Sequence, residues 1–206
     1  GGLVDGDRCV SRGGSAGGFT ALAALCFRAE WGGDGAFAGA CSLYGVTDLA
    51  ALAADTHKFE SRYLDGLVAP LPGGEDVYRS RSPLFHAERL ERPVLLLQGK
   101  EDRVVPPAQA QVLADALARN GVSHRFVLYE GEGHGFHRAE TILSALREEL
   151  AFYGEVLGWE VAARDAPTDR LGGAGWILLR GPAGAPSLSF QAEEWYQPPT
   201  WPEVGD

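Results

Sequence analysis

The 206-residue sequence contains no methionine, and no apolar run approaches the roughly 18 residues that a membrane-spanning helix requires. Its first residues also lack the basic and then apolar layout of a secretory signal. These absences predict a cytoplasmic protein with no membrane partner. Because the chain starts at Gly1 and has no initiator methionine, we expect a fragment or a processed product.

Basic residues are also few. The chain has 18 lysines and arginines against 28 aspartates and glutamates, which gives a formal net charge of −10. A nucleic-acid backbone would be repelled by this charge. We therefore expect no nucleic-acid partner.

Cysteine is scarce as well, and Cys9, Cys26 and Cys41 do not have the spacing of metal ligands. Each lies in an apolar stretch, which predicts core thiols in a reducing compartment. The pair His134 and His137 is by itself too small for a metal site. The sequence therefore predicts neither a metal nor another cofactor.

What the sequence does contain is an alternation of strand-like and helix-like segments, in a chain that is 45% hydrophobic and 22% charged. Strands are predicted at Arg8–Ser11, Phe37–Tyr44, Pro93–Gln98 and Arg125–Glu130, with helical segments between them and after the last. The second and third have almost no polar residues, which favours a parallel sheet covered by helices on both faces. The order predicts a doubly wound α/β fold.

Two helices can be predicted in more detail. One begins at Pro106 and Pro107 and is ended by Asn120 and Gly121, a left-handed stop. Its apolar face is formed by Val112, Leu113, Ala116 and Leu117. A last amphipathic helix is marked by Ile142, Leu146, Leu150 and Tyr153.

Two segments do not follow the alternation. Residues 51–91 are irregular and predict short helices in a long excursion near the site. Residues 159–206 contain four of the five tryptophans and six of the twelve prolines, and only Trp176–Leu179 resembles a strand. We therefore divide the chain into a main domain, residues 1–158, and a tail, residues 159–206, whose role stays open between an appendage, a misread gene end and disorder.

A possible nucleophile lies in the segment Gly13–Gly17, which matches the pattern Gly-x-Ser-x-Gly around Ser15. In a nucleophile elbow, serine sits on a strained turn between a strand and a helix, and nearby glycines keep side chains out of the crowded backbone. A strand before and a helix after are both predicted here. The N–H of Ala16 is then the first candidate donor to an oxyanion. The alternative is an ordinary glycine-rich loop.

A candidate acid follows the third predicted strand. Asp102 lies in the loop after Pro93–Gln98, at the edge of the sheet that faces Ser15, and Glu101 is a weaker candidate. A serine hydroxyl needs a base to remove its proton, and the base needs a carboxylate to orient it. The alternative is that Asp102 pairs with Arg103 or caps the next helix.

The candidate base follows the fourth predicted strand. His134 lies between Gly133 and Gly135, which allow the backbone to turn an imidazole over the site. Surface positions are expected for the other histidines, which are His57, His86, His124 and His137.

Together these motifs resemble the prolyl oligopeptidase family of serine peptidases over roughly Leu3 to Gly158. The resemblance rests on Gly13–Gly18, on Gly99-x-x-Asp102-x-x-Val105-Pro106 and on Gly131–Phe136. The segments Tyr44–Leu49 and Arg81–Pro83 are similar to its dipeptidyl-peptidase and acylaminoacyl-peptidase branch.

The resemblance implies an α/β-hydrolase that cleaves short peptides through an acyl-enzyme on the triad Ser15, Asp102 and His134, with a β-propeller elsewhere in the full protein. In this family several strands precede the nucleophile turn, so we expect the sheet of this chain to lack them. The loop that supplies the second oxyanion donor belongs to that missing part. Only Ala16 can therefore be assigned as a donor.

Substrate selection is expected in the excursion, where Phe59, Tyr63, Tyr78 and Phe85 line a pocket or merely pack. Two alternatives to a peptidase stay open. The first is a carboxylesterase on the same fold, because a fold does not determine the acyl group. The second is a catalytically incomplete fragment that associates with itself or with partners through the unpaired edge of its sheet.

Overall fold

The computed structural model describes residues 9–27, 29–30, 37–55, 63–165, 176–180 and 187–191. These residues fall into two compact units, one that ends at Leu157 and one that starts at Gly158. The second unit is therefore described separately from the first.

The first unit is built on a parallel sheet. In the described part of the chain this sheet consists of β1 (Val10–Gly14), β2 (Gly39–Leu43), β3 (Val94–Gly99) and β4 (His124–Tyr129), in that spatial order. All three strand pairs are parallel. Their carboxyl ends therefore lie at one edge, where the loops that begin at residues 15, 44, 100 and 130 meet. Strands before β1 were predicted to be absent, and residues 1–8 lie outside the described residues.

Helices cover both faces of this sheet, which confirms the predicted α/β class. They include α1 (Ala16–Cys26), α5 (Pro107–Arg119) and α6 (Ala139–Leu157). Neighbouring residues of a strand point to opposite faces. The hydroxyl of Ser11 on β1 donates to the carbonyl of Ala21 in α1, whereas the guanidinium of Arg12 bonds Glu149 in α6. Helices α1 and α6 therefore lie on opposite sides.

The larger core lies between the sheet and the helices α1 and α5. It includes Leu22, Leu96, Leu113 and Leu117, each almost inaccessible to solvent. Burying a side chain of this size stabilises the fold by about 1.5–3 kcal/mol. All residues of β2 and β3 are buried, as expected for central strands covered on both faces.

Cys26 and Cys41 are free thiols. Cys26 and Cys41 are buried, and Cys9 is half-buried. Burial raises the pKa of the Cys26 thiol to about 12 and also raises that of Cys41. Both thiols therefore stay protonated at neutral pH, as residues of the core.

Helix α5 ends where its sequence predicts. Gly121 follows it with φ of 69°, and the N–H of Val122 donates to the carbonyl of Leu117 at 3.0 Å. This is a left-handed stop. One residue of the predicted apolar face differs, because Val112 is exposed whereas Leu113 and Leu117 are buried.

Helix α6 is rotated relative to its predicted apolar face. Tyr153 is buried as expected, but Ile142 and Leu146 are exposed. The buried side instead carries Thr141, Ala145, Glu149 and Phe152. This rotation brings the carboxylate of Glu149 to Arg12 on β1, with two bonds of 2.6 and 2.9 Å. A buried carboxylate needs such a partner, and with Arg12 in place Glu149 can lie on the buried side of α6.

In the described part of the excursion between β2 and β3 the chain forms short helices, as predicted. They are α2 (Leu49–Asp55), α3 (Tyr63–Leu67), α4 (Glu75–Arg81) and a 3₁₀ segment (Pro83–Arg89). A second core cluster holds them to the loop after β3 and contains Val46, Leu49, Leu64, Tyr78 and Val105.

The second unit contains an antiparallel sheet of β5 (Glu160–Asp165), β6 (Trp176–Arg180) and β7 (Ser187–Gln191). The sequence predicted a strand only at the position of β6. Strand β5 was not predicted, because the alanines in its middle and the charged residues at its ends have low β-propensity. Among the helices of the described residues, none combines the length and apolar character needed to cross a membrane.

Candidate active site

The predicted nucleophile lies on a sharp turn between β1 and α1. Ser15 has φ of 55° and ψ of −121°, a left-handed conformation that non-glycine residues rarely adopt. Such backbone strain costs of the order of 1–3 kcal/mol and is concentrated at functional sites. The turn is held by the N–H of Ser15, which donates to the carbonyl of Leu43 at 3.0 Å, and by the N–H of Phe19, which donates to the carbonyl of Ser15.

The glycines around Ser15 do not share one role. A Cβ atom at Gly13 would lie 2.3 Å from the backbone of Gly17, and one at Gly18 would lie 2.7 Å from the Cα atom of Gly45. Both positions therefore require glycine. A Cβ atom at Gly17 would meet no described atom within 4 Å, so crowding accounts for Gly13 and Gly18 but not for Gly17.

The predicted base reaches the predicted nucleophile directly. The Nε2 atom of His134 lies 2.8 Å from Oγ of Ser15. His134 projects from the loop between β4 and α6, in which Gly131 has φ of 72° and Gly135 has φ of 114°. Two left-handed glycines thus allow the loop to turn back over the edge of the sheet.

The predicted acid lies on the far side of the imidazole. Oδ2 of Asp102 is 2.9 Å from Nδ1 of His134, and its side chain is inaccessible to solvent. Oδ1 accepts the backbone N–H groups of Val104 and Val105 at 2.9 and 2.8 Å. Asp102 therefore bonds its own loop and His134, and it does not cap α5. The weaker candidate, Glu101, is exposed and does not take this position.

A further side chain holds the acid, and the sequence analysis missed it. The Nε2 atom of Gln98, the buried penultimate residue of β3, donates to Oδ2 of Asp102 at 2.9 Å and to the carbonyl of Val105 at 3.1 Å. The signal was a polar residue inside an otherwise apolar strand, just before a candidate acid. The carboxylate of Asp102 thus accepts four hydrogen bonds, which fix its orientation.

Tyr44 is a second residue near the site to which the sequence assigned no role there. It directly follows β2 at the same edge and has φ of 40°, another left-handed non-glycine conformation. Its ring stands edge-on to the rings of His134 and Phe136, with centroids 5.2 Å apart in each pair. Tyr44 therefore packs against one side of the imidazole.

The predicted oxyanion donor, Ala16, is the first residue of α1 and directly follows Ser15. The first N–H groups of a helix have no acceptor within it, and the helix dipole favours negative charge there. The backbone N–H of Ala16 is thus available next to the Ser15 hydroxyl.

The other histidines that the structure describes do not contact this site. His137 is exposed, as predicted. His86 and His124 are half-buried instead of lying on the surface, because His86 packs edge-on against Phe27 and His124 bonds the carbonyl of Val122. His57 lies outside the described residues.

The aromatic residues of the excursion are dispersed. Tyr78 is fully buried and donates its hydroxyl to the carbonyl of Ala69, Tyr63 is exposed, and Phe85 lies beneath the guanidinium of Arg79. Phe59 lies outside the described residues.

A pocket of about 310 Å³ is lined mainly by α1 and α4 and includes none of the three predicted catalytic residues. Within the described ranges, no group of three or more histidine, cysteine or acidic side chains could hold a metal.

Chemically, the arrangement is an ordered chain from hydroxyl to imidazole to carboxylate. An imidazole within hydrogen-bond distance of a hydroxyl can accept its proton, and a buried carboxylate on its other nitrogen stabilises the resulting imidazolium. The site can therefore support attack of a serine oxygen on an electrophilic carbon.

Comparison with known proteins gives a consistent assignment. A model of the prolyl oligopeptidase family, Peptidase_S9, matches residues 1–160. Dipeptidyl aminopeptidase BIII of Pseudoxanthomonas mexicana is 28% identical over 162 residues, with 76% of this chain and 23% of that protein covered. Dipeptidyl peptidase family member 6 of Caenorhabditis elegans is 26% identical over 165 residues, with 77% and 22% covered.

Among solved structures, a puromycin-hydrolyzing peptidase of Mycobacterium tuberculosis is 48% identical with a TM-score of 0.72. The match covers 79% of this chain and 24% of that one. The chain therefore spans about a quarter of the length of the proteins that it resembles.

Proposed function

Because the chain belongs to the prolyl oligopeptidase family, we propose that it carries the catalytic residues of a serine peptidase, with Ser15 as nucleophile, His134 as general base and Asp102 as the acid that orients it. The observation that supports this most directly is the pair of contacts on His134. Its Nε2 atom is 2.8 Å from Oγ of Ser15, and its Nδ1 atom is 2.9 Å from Oδ2 of Asp102.

In the first half of the reaction, His134 takes the proton of Ser15 as Oγ attacks the carbonyl carbon of the scissile amide. The imidazolium that forms is stabilised by Asp102, and it then gives its proton to the leaving amine as the C–N bond breaks. The product is an acyl ester on Ser15. In the second half, His134 takes a proton from water, whose oxygen attacks the ester, and returns a proton to Ser15.

The tetrahedral intermediates carry an oxyanion, and the N–H of Ala16 is the donor that we assign to it. A single oxyanion donor typically contributes about a hundredfold to a thousandfold to kcat. We propose that the second donor comes from a loop of the longer family architecture. The chain as given is then expected to be a slow enzyme with an intact triad.

The substrate class that we propose is amides of amino acids and short peptides. The support comes from the relatives, which are a dipeptidyl peptidase family member, a dipeptidyl aminopeptidase and a puromycin-hydrolyzing peptidase. Puromycin contains an amide between an amino acid and an aminonucleoside, so its cleavage requires the acyl transfer described above.

The first experiment measures labelling of the 206-residue chain by a fluorophosphonate probe. Wild type is compared with Ser15→Ala and His134→Ala. Ser80→Ala and His137→Ala serve as matched controls, because each removes the same kind of group from an exposed position outside the triad. We expect labelling of wild type and of both controls, and none of Ser15→Ala or His134→Ala.

Failure of a folded wild-type chain to react would contradict the active triad and favour the catalytically incomplete fragment. If the labelling pattern holds, aminoacyl and peptidyl anilides and puromycin are compared with nitrophenyl esters. Turnover of the esters alone, with no cleavage of any amide, would favour the carboxylesterase and overturn the peptidase.

A further inference from the structure

Glu132 is a buried carboxylate next to the site that the reaction itself does not use. It precedes His134 by two residues, and only 1% of its surface is exposed. A charged side chain is rarely buried to this extent unless it has partners that compensate its desolvation.

The partners of the Glu132 side chain lie at the far end of the loop that carries His134. Oε2 accepts the backbone N–H of His137 and Oε1 accepts that of Arg138, each at 2.9 Å. The hydroxyl of Thr141, in the first turn of α6, also helps to lower the pKa of this carboxylate. The negative charge thus lies at the start of α6, where the helix dipole favours it. These bonds close the segment 132–138 into a ring that has His134 within it.

The backbone of Glu132 contacts the loop of the acid. Its carbonyl accepts the N–H of Glu101 at 2.9 Å, next to Asp102. The two loops approach so closely that a Cβ atom at Gly99 would lie 2.5 Å from this carbonyl oxygen and 2.3 Å from that of Gly133. One residue therefore connects the loop of the base, the loop of the acid and the start of α6.

The geometry requires a carboxylate and not merely a polar group. Two N–H donors approach two different oxygens of Glu132, and a carboxylate can accept on both. A glutamine has only one acceptor oxygen, so its NH₂ group would face the other N–H. One hydrogen bond would be lost and one buried donor left unsatisfied.

The protonation state agrees with this requirement. Burial by itself raises the pKa of Glu132, but the N–H groups of His137 and Arg138 and the hydroxyl of Thr141 outweigh it. The net result is a pKa below the ordinary range of a glutamate, so the side chain is ionised at neutral pH.

We propose that Glu132 is a positioning residue, which holds the loop of His134 against the loop of Asp102 so that the imidazole reaches Ser15. This inference rests on the function proposed above. Glu132 acts through His134 and touches neither Ser15 nor the reacting atoms. A misplacement of about 1 Å in an active site can cost about a hundredfold in rate.

The test measures the second-order rate constant of fluorophosphonate labelling and the thermal unfolding midpoint. It also measures kcat and KM for those substrates named above that the wild type cleaves. The variant is Glu132→Gln. The control is Glu149→Gln, the same change at another buried carboxylate of this unit, which bonds Arg12 outside the loop of His134. We expect both variants to unfold at lower temperature.

We expect the probe to label folded Glu132→Gln roughly tenfold to a hundredfold more slowly than wild type, and Glu149→Gln at the wild-type rate. For Glu132→Gln, kcat should fall and KM should change by less than about twofold. Glu132→Asp keeps the charge and two acceptor oxygens and is expected to recover part of the rate. Equal labelling rates for Glu132→Gln and Glu149→Gln would overturn the inference.

Should Glu132→Gln not fold, Thr141→Val removes only the hydroxyl that helps to lower the pKa of Glu132 and leaves the two backbone bonds. A labelling rate reduced by a few fold in this folded variant supports the positioning role, and an unchanged rate overturns it. The labelling experiments distinguish failure of the proposed triad from failure of the positioning role of Glu132. Absence of labelling in wild type contradicts the triad, whereas Ser15-dependent labelling that is insensitive to Glu132 and Thr141 contradicts only the positioning role.

Discussion

The ring of Tyr44 lies where a side chain at Gly14 would have to go. A Cβ atom at Gly14 would be 3.0 Å from both Cε2 and the hydroxyl oxygen of Tyr44. The same ring stands edge-on to the imidazole of His134. The absence of a side chain beside the nucleophile therefore permits an aromatic contact with the base.

This relationship predicts the effect of Gly14→Ala. The added methyl group would push the Tyr44 ring by a few tenths of an ångström, and His134 would move with it. We expect a roughly tenfold slower reaction with the fluorophosphonate probe, because small misplacements at a reacting centre are costly. The thermal unfolding midpoint is expected to change little.

A double-mutant cycle tests whether the ring carries this effect. In a Tyr44→Ala background the added methyl group has room, so Gly14→Ala should cost less there than in the wild type. Equal costs in the two backgrounds would mean that the methyl group acts by another route.

The two outer glycines of the nucleophile motif are predicted to differ in their tolerance of alanine. Gly13→Ala would place a methyl group 2.3 Å from the backbone of Gly17, so the turn cannot form unchanged. Gly17→Ala meets no described atom and lies in the first turn of α1, where alanine is favoured over glycine by up to about 1 kcal/mol. Urea unfolding should give a lower midpoint for Gly13→Ala and an equal or higher one for Gly17→Ala. The reverse order would contradict this packing.

The third prediction concerns how much the ion pair between Arg12 and Glu149 contributes to the free energy of unfolding. The two short hydrogen bonds that Arg12 donates to Glu149 raise the pKa of the guanidinium. Removal of the guanidinium would leave a carboxylate that is 3% exposed without its partner. Because the Arg12 side chain is 48% exposed, we expect Arg12→Met to lower the free energy of unfolding by roughly 2 kcal/mol, less than for a fully buried pair.

The control for that prediction replaces both partners. Arg12→Met combined with Glu149→Leu leaves no buried charge and should recover at least half of the lost free energy in urea unfolding. A double variant less stable than Arg12→Met would show that the pair itself, and not the unpaired carboxylate, accounts for the loss.

The fourth prediction concerns acid stability and follows from Glu132. Its pKa is lowered in the folded state, so its stabilisation is complete above the unfolded value of about 4.3 and is lost as the pH falls through the lower folded value. The thermal midpoints of wild type and Glu132→Gln should therefore differ most near pH 6 and converge as the pH falls further below about 4.3. A gap that stays constant over this range would contradict the lowered pKa.

Much of the fold could be predicted from the sequence because local signals and packing agree there. The apolar segments of β2 and β3 favour buried parallel strands, and Asn120 with Gly121 stops α5 by local geometry alone. The triad residues could be proposed for the same reason, since each follows a predicted strand and parallel strands end at one edge.

What could not be predicted depends on partners distant in the chain. Ile142 and Leu146 are exposed while Glu149 is buried against Arg12, a partner 137 residues away that periodicity does not encode. Gln98 and Glu132 looked like ordinary polar residues until their acceptors and donors were known. Tyr44 stood at the end of an apolar segment and at the start of a segment similar to the family, but no role could be given to it. Its conformation and its contact with His134 arise from three-dimensional packing.

The distance along the chain between Ser15 and His134 has a consequence for biosynthesis. During synthesis, His134 is added to the chain 119 residues after Ser15, and most of α6 is added later still. In the folded protein the two side chains are 2.8 Å apart. A nascent chain can complete the turn between β1 and α1 while its hydroxyl has no base. On the function proposed above, Ser15 therefore gains its base only after nearly the whole first unit has left the exit tunnel.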